Sequence, residues 1–161
     1  MSDIERLGND NIMERDLFVL AIDSPESLPA NLQLGSPRFA CLLAWDASSV
    51  EVERIAALAR KLLDAGAVYI CAWGPDCERV HDIIDEEFVG PNPDPTIDRV
   101  VMTTWHSDEP LSDAIWFALH NSWPDEAYQG GCDSTLGIAI GSLQWANEIR
   151  EAFSLKCVRG V

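Results

Sequence analysis

Reactive side chains in this 161-residue sequence collect directly after three short apolar runs. The runs end at Trp45, Trp73 and Trp105. The residues that follow them are Asp46, then Gly74, Pro75, Asp76 and Cys77, then His106, Ser107, Asp108 and Glu109. Thiol, imidazole and carboxylate groups are those that nucleophilic and acid–base catalysis use. The pattern predicts one site, provided that the fold brings these segments together.

Cys77, His106 and Asp108 are the candidate catalytic residues. If Asp76 caps a helix that begins at Cys77, the free N–H groups and positive dipole end of that helix favour a thiolate. His106 would then be its base, with Asp108 orienting the imidazole ring. Two features oppose this hypothesis: the Asp76 carboxylate disfavours a thiolate, and Cys77 shares the apolar side of its helix with Val80. A buried structural cysteine is the alternative interpretation.

The indoles and carboxylates at these positions also fit a binding site without a catalytic role. Aromatic rings stack on ligands, and carboxylates accept hydrogen bonds from charged donors. The predicted ligand-binding residues are Trp45, Asp46, Trp73, Asp76, Trp105 and Glu109. The alternative interpretations are that the indoles fill the core and that the acids stabilise helix N-termini.

A zinc site is a weaker hypothesis for the same region. Cys77 and His81 are one helical turn apart in the predicted helix, and His106 offers a third ligand from the next loop. Because Cys-x3-His is common by chance and no second paired motif accompanies it, we predict neither a metal ion nor an organic cofactor. Glycine-rich nucleotide-binding loops are also absent from the sequence.

The apolar runs read as buried strands, and each is followed by a helical pattern. The repeat predicts a single-domain α/β fold: a mostly parallel, four- to five-stranded sheet with helices on both faces, Rossmann-like or flavodoxin-like. The first helix is predicted from a capping box at Ser48 and Glu51 to a stop at Gly66. Since the carboxyl ends of parallel strands meet at one edge, we expect the three indoles to occupy equivalent places there.

The chain divides, on this interpretation, into an N-terminal arm and the α/β domain. Residues 1–37 form the arm, in which the apolar run 17–22 is an edge strand or packs over the sheet; residues 38–161 form the domain. Prolines at positions 91, 93 and 95 predict an extended connection.

The net charge of −16 excludes some partners and favours others. An acidic surface repels nucleic acid and anionic lipid, so we expect neither a nucleic-acid nor a membrane partner. Residues 76–113 contain eleven acids against two arginines and predict an acidic face. Such a face steers a basic protein partner, as an inhibitor or immunity protein does with a cationic enzyme.

The cellular location of the protein is predicted from features that the sequence lacks. The sequence has no apolar run long enough to span a membrane and no secretion signal at its N-terminus. Its five cysteines form no Cys-x-x-Cys pair, which fits reduced thiols. We therefore predict a cytoplasmic protein.

Two motifs resemble the paired signatures of a small uncharacterised bacterial family. They are AWGPDC at residues 72–77 and MTTWHSDEPL at residues 102–111, and the resemblance covers about residues 38–140. The resemblance implies no particular activity for this chain, because the family has no established one. The function that we predict is therefore a binding or protein-interaction module, and the alternative is a small hydrolase or transferase that uses Cys77, His106 and Asp108.

Overall fold

The computed structural model describes residues 3–90 and 100–158. Within those ranges, six strands and four α-helices share one sheet-based unit. They are β1 (Glu5–Asn9), β2 (Asp16–Ile22), β3 (Arg38–Trp45), α1 (Val52–Ala65), β4 (Ala67–Trp73), α2 (Cys77–Val89), β5 (Met102–His106), α3 (Leu111–His120), β6 (Cys132–Ile140) and α4 (Leu143–Lys156). No helix of the described part has both the length and the apolarity that crossing a bilayer requires.

The sheet has the order β1-β2-β6-β3-β4-β5. Strands β2 to β6 run parallel to one another, and β1 is antiparallel to β2. The predicted α/β, mostly parallel sheet is confirmed, but it has six strands rather than four or five. The additional strand, β1, escaped prediction because its sequence ERLGN is polar and largely exposed, with no apolar alternation.

Strand β2 confirms the apolar run at 17–22 as a strand but places it inside the sheet. It pairs with β6 on one side and with β1 on the other. Leu17, Val19 and Leu20 are almost completely buried, as expected for a strand covered on both faces. The interpretation of this run as an edge strand was therefore wrong, and the sheet extends into the predicted N-terminal arm.

The helices cover both faces because the chain reverses its direction across the sheet. Helices α1 and α2 pack on one face, and α3 and α4 pack on the other. The chain moves from β3 to β4 to β5 in one direction and then returns to place β6 beside β3. Right-handed crossovers that run in opposite directions must use opposite faces. Neighbouring strands β3 and β6, and likewise β4 and β5, are thus followed by helices on opposite faces.

Helix boundaries agree with the prediction at some ends and differ at others. Gly66 ends α1 with a φ of +111°, and α2 begins at Cys77. The start of α1 was placed wrongly: it begins at Val52, because Ser48 donates its hydroxyl to Asp46 Oδ1 at 2.6 Å and forms a turn instead of a cap. The predicted proline-rich connection lies in 91–99, outside the described residues.

Candidate functional site

Two crevices open at the carboxyl edge of the sheet, each between strands whose following helices diverge to opposite faces. The first, which we call the β4–β5 crevice, has a volume of about 320 Å³. Its lining residues are Trp73, Gly74, Pro75, Asp76, His106, Ser107, Asp108 and Glu109. The second, the β3–β6 crevice, has a volume of about 420 Å³ and includes Trp45, Asp46, Ser142 and Trp145. The structure therefore divides most of the predicted site residues between two crevices, whereas Cys77 and Trp105 line neither of them.

His106 is held at both ring nitrogens by neighbours from its own segment. Its Nδ1 lies 2.7 Å from Glu109 Oε1 and its Nε2 lies 2.8 Å from Thr104 Oγ1. An ionised carboxylate only accepts, so Nδ1–H donates to Glu109, and in the neutral ring Nε2 accepts from the Thr104 hydroxyl. The ring also packs 4.8 Å from the Phe117 ring of α3. Glu109, rather than the predicted Asp108, orients the imidazole.

Thr104 is the residue that sequence reasoning missed. It sits two positions before His106 on β5, so both side chains project to the same face of the sheet. The two-residue spacing could have predicted that Thr104 lies beside His106. The sequence around Thr104 indicates only a strand, however, and does not mark this residue as functional. The Thr104 hydroxyl also hydrogen-bonds Tyr69 and Cys71; burial nonetheless raises the pKa of each to about 12.

Cys77 does not contact the His106 imidazole. The thiol is buried, 2% exposed, in the core under α1 and α2, whereas the imidazole lies on the α3 side of the sheet. Burial raises the pKa of the Cys77 thiol, although hydrogen bonds from the backbones of His106, Cys77 and Gly74 oppose this. The structure thus lacks the thiol–imidazole contact on which the nucleophile hypothesis depends, and the burial expected from the apolar helix face is present.

Two aspartates flank the β4–β5 crevice in left-handed backbone conformations. Asp76 has a φ of +66° and Asp108 a φ of +60°. Asp76 occupies the N-cap position of α2 but makes no capping bond; its Oδ2 accepts from Arg79 Nε at 2.7 Å instead. Arg79 is held on its other side by the carbonyls of Ala47 and Val50. Asp76 thus uses one carboxylate oxygen for this ion pair.

The three tryptophans share the carboxyl edge but not one face. Trp73 pairs with His106 in the sheet register, whereas Trp105 pairs with Ala72, so the two indoles point to opposite faces. Trp73 Nε1 donates to the Glu109 carbonyl at 2.8 Å, and its ring meets Trp145 edge-on at 5.0 Å. Trp45 is 4% exposed in the core under α1 and α2. The expectation of equivalent places was wrong, since strand register decides the face.

The hypothetical zinc ligands are engaged elsewhere. His81 Nδ1 lies 2.9 Å from Asp82 Oδ1, and its ring packs on Trp105 with centroids 4.5 Å apart. Among residues 3–90 and 100–158, no three His, Cys, Asp or Glu side chains are grouped so as to hold a metal ion.

Asp46 lies in the β3–β6 crevice, apart from the other predicted carboxylates. Hydrogen bonds from the Ser48 side chain and backbone hold the pKa of Asp46 below its usual value. Nearby, Ser142 Oγ accepts from the Trp145 backbone N–H and caps α4, and Arg54 forms an ion pair with Glu26. The polar groups of this crevice are thus largely engaged in holding local turns and helix ends.

Comparison with protein families identifies the family of this chain. A family model described as a domain of unknown function, DUF7684, matches residues 17–156. No curated protein and no solved structure matches the chain. The family match includes β2 and α4 and is therefore wider than the motif resemblance over residues 38–140. The chain belongs to the DUF7684 family of domains of unknown function.

Proposed function

We propose that the protein is a bacterial, cytoplasmic binding domain whose β4–β5 crevice holds a cationic group, carried by a basic protein partner or a small ligand. The observation that carries the proposal is the lining of the crevice. The lining includes three acidic residues, Asp76, Asp108 and Glu109, together with Trp73 and His106. Carboxylates pair with ammonium and guanidinium groups, and aromatic faces attract the same cations. The site lies where Rossmann-like and flavodoxin-like sheets bind their ligands.

The backbone of the crevice supports a binding role. Asp76 and Asp108 both hold left-handed conformations, in which glycine has no steric penalty. Non-glycine residues in such conformations cluster at functional sites, because the surrounding structure maintains an arrangement that the chain alone disfavours. Aspartate is one of the few side chains that adopt this conformation readily, and at these two positions it adds an acidic residue to the lining of the crevice.

The acidic outer face of α2 continues from the crevice and favours a basic partner. Glu78, Asp82 and Glu86 are exposed, and the chain carries a net charge of −16. A predominantly negative surface of this kind accelerates association with a positively charged protein, and high salt weakens the binding because it screens the charges. It opposes nucleic acid and anionic membranes, which we therefore do not propose as partners.

A guanidinium titration tests the crevice directly. N-ethylguanidinium, added during amide NMR spectroscopy, is expected to move the signals of residues 73–76 and 106–109. Asp108→Asn should weaken this binding at least fivefold, and asparagine tolerates the left-handed backbone. Asp133→Asn, an exposed site at the start of β6, is the matched control and should leave it unchanged. Signal changes that are scattered, or equally reduced by both variants, would overturn the proposal.

The hydrogen-bonded chain Thr104–His106–Glu109 favours a second candidate, a small hydrolase or transferase. A carboxylate that orients an imidazole, with a hydroxyl at the other nitrogen, is the arrangement of acid–base catalysis. In this version His106 transfers the proton, and Cys77 has no role. A screen of ester and amide substrates should find a turnover that His106→Gln abolishes and Cys77→Ser preserves. A turnover that survives His106→Gln would exclude this site.

A further inference from the structure

Strand β5 forms one border of the sheet, and its own residues lack the features that usually protect an edge. Within the described residues, its sheet partner is β4 alone. Its sequence MTTWH contains no proline, lysine or acid, and its register with β4 runs without a bulge. Proteins normally protect such edges with charges, prolines or bulges against pairing with another chain. The backbone N–H and C=O groups on the outer side of β5 therefore form a template for an added strand.

The opposite border of the same sheet shows the contrast. Strand β1 carries Glu5 and Arg6, and its register with β2 is interrupted between Arg6 and Gly8. Arg150 of α4 also bonds Glu5 at 2.9 Å, across the face of this strand. One edge thus has the features that prevent pairing, and the other does not.

The side chains beside β5 are suited to a cationic occupant. Trp105 is 44% exposed, and its inner side packs on His81 of α2. Asp82 and Asp85 flank that histidine, each within 4 Å of a ring nitrogen. Asp85 also accepts a hydrogen bond from Thr103 of β5 at 2.5 Å. An exposed indole on β5 therefore packs against a histidine that two carboxylates flank.

We propose that the free edge of β5 accepts an extended, lysine- or arginine-rich segment of a partner protein as an additional strand. The inference rests on the proposed function, because it specifies the basic partner and its manner of binding. Main-chain hydrogen bonds supply affinity in strand addition, and alternate side chains supply specificity. A cation opposite Trp105 lies over the indole face and beside Asp82, which combines a cation–π contact with an ion pair.

A synthetic peptide tests the proposal with the full-length chain. The probe is a nine-residue peptide of alternating lysine and valine with blocked ends. Its control carries N-methyl groups on every internal amide, so it has the same charge but offers no N–H group to the ladder on either edge. The unmodified peptide should bind at least tenfold more tightly than the methylated one, and it should slow hydrogen exchange at the alternate amides of residues 102–106 that point away from β4.

Single substitutions test whether the Trp105 indole and the Asp82 carboxylate contribute to peptide binding, apart from any effect on folding. Trp105→Thr and Asp82→Asn should each weaken binding of the unmodified peptide at least fivefold. Trp116→Thr, which removes a somewhat more exposed indole from α3, should not change it. Circular dichroism checks that each variant is folded. If Trp105→Thr does not fold, Asp82→Asn and the methylated peptide still decide the question.

The outcomes distinguish this inference from the proposed function. Equal binding of the two peptides, or edge amides already protected in the free protein, would overturn strand addition. Binding of N-ethylguanidinium in the β4–β5 crevice would be unaffected by either result. Loss of guanidinium binding with retained peptide pairing would overturn the crevice proposal alone.

Discussion

The imidazole of His106 and the thiol of Cys77 share the carboxyl end of the sheet but lie on opposite faces of it. The imidazole packs beneath Phe117 of α3, and the thiol belongs to the core beneath α1 and α2. The thiol instead receives a hydrogen bond from the His106 backbone. The side chains of these two residues therefore cannot act together as a nucleophile and its base, although the residues are neighbours at the edge of the sheet.

Cys77 should be inert in the folded protein. Its burial and raised pKa leave little thiolate at neutral pH, and only the thiolate is the nucleophile. With iodoacetamide at about pH 7.5, peptide mass spectrometry should find Cys157, the one cysteine of the five that is not buried, labelled first. Cys77 should react only after the addition of denaturant. Labelling of Cys77 before Cys157 would restore the nucleophile hypothesis.

Glu109 should control the orientation of His106. Removing its carboxylate by Glu109→Ala takes away a charge-assisted hydrogen bond in a half-buried position and should lower the free energy of unfolding by about 1–2 kcal/mol. The ¹⁵N chemical shifts of the His106 ring should change from the Nδ1–H tautomer to a mixture. Glu126→Ala, at an exposed turn, is the control. An unchanged His106 tautomer in the Glu109 variant would contradict the assignment.

Gly74 should be required for the turn that forms the β4–β5 crevice. Its φ is +117°, and a Cβ at this position would lie 2.2 Å from the Trp45 carbonyl oxygen. Gly74→Ala should therefore destabilise the protein by about 2–4 kcal/mol in urea unfolding. Gly130→Ala meets no atom within 4 Å and should change stability by less than about 0.5 kcal/mol. Equal effects of the two substitutions would show that the close approach is not maintained in solution.

The Glu26–Arg54 ion pair should give a defined pH dependence. The hydrogen bond from Arg54 lowers the pKa of Glu26 to about 2, from an ordinary value of 4.5. Because the pKa is lower in the folded state, the pair stabilises the fold above about pH 4.5, and this contribution is lost as the pH falls towards 2. The unfolding free energies of wild type and Glu26→Gln should therefore differ at neutral pH and converge in acid. A difference that persists at about pH 2 would contradict the shift.

Local patterns were sufficient for much of the fold and for the edge of the sheet at which the crevices lie. The βαβ alternation from β3 to α2, the stop at Gly66 and the parallel sheet all follow from apolar spacing and turn chemistry. These patterns also predict that the residues directly after β4 and β5 lie close together, because parallel strands end at the same edge of the sheet. The polar strand β1 and the turn between Asp46 and Ser48 could not be predicted from local patterns, since neither has a distinctive periodicity.

By itself, the sequence determined which elements form and which side chains stand at their carboxyl ends, since backbone propensity and burial act over a few neighbouring residues. The tertiary structure decided which of those side chains meet. Insertion of β6 between β2 and β3 divided the expected site into two crevices, and a one-residue register difference sent Trp73 and Trp105 to opposite faces. Because side chains alternate along a strand, the register of β5 turned the His106 imidazole, together with Thr104, to the α3 face, while the packing of α2 on the opposite face left Cys77 in the core.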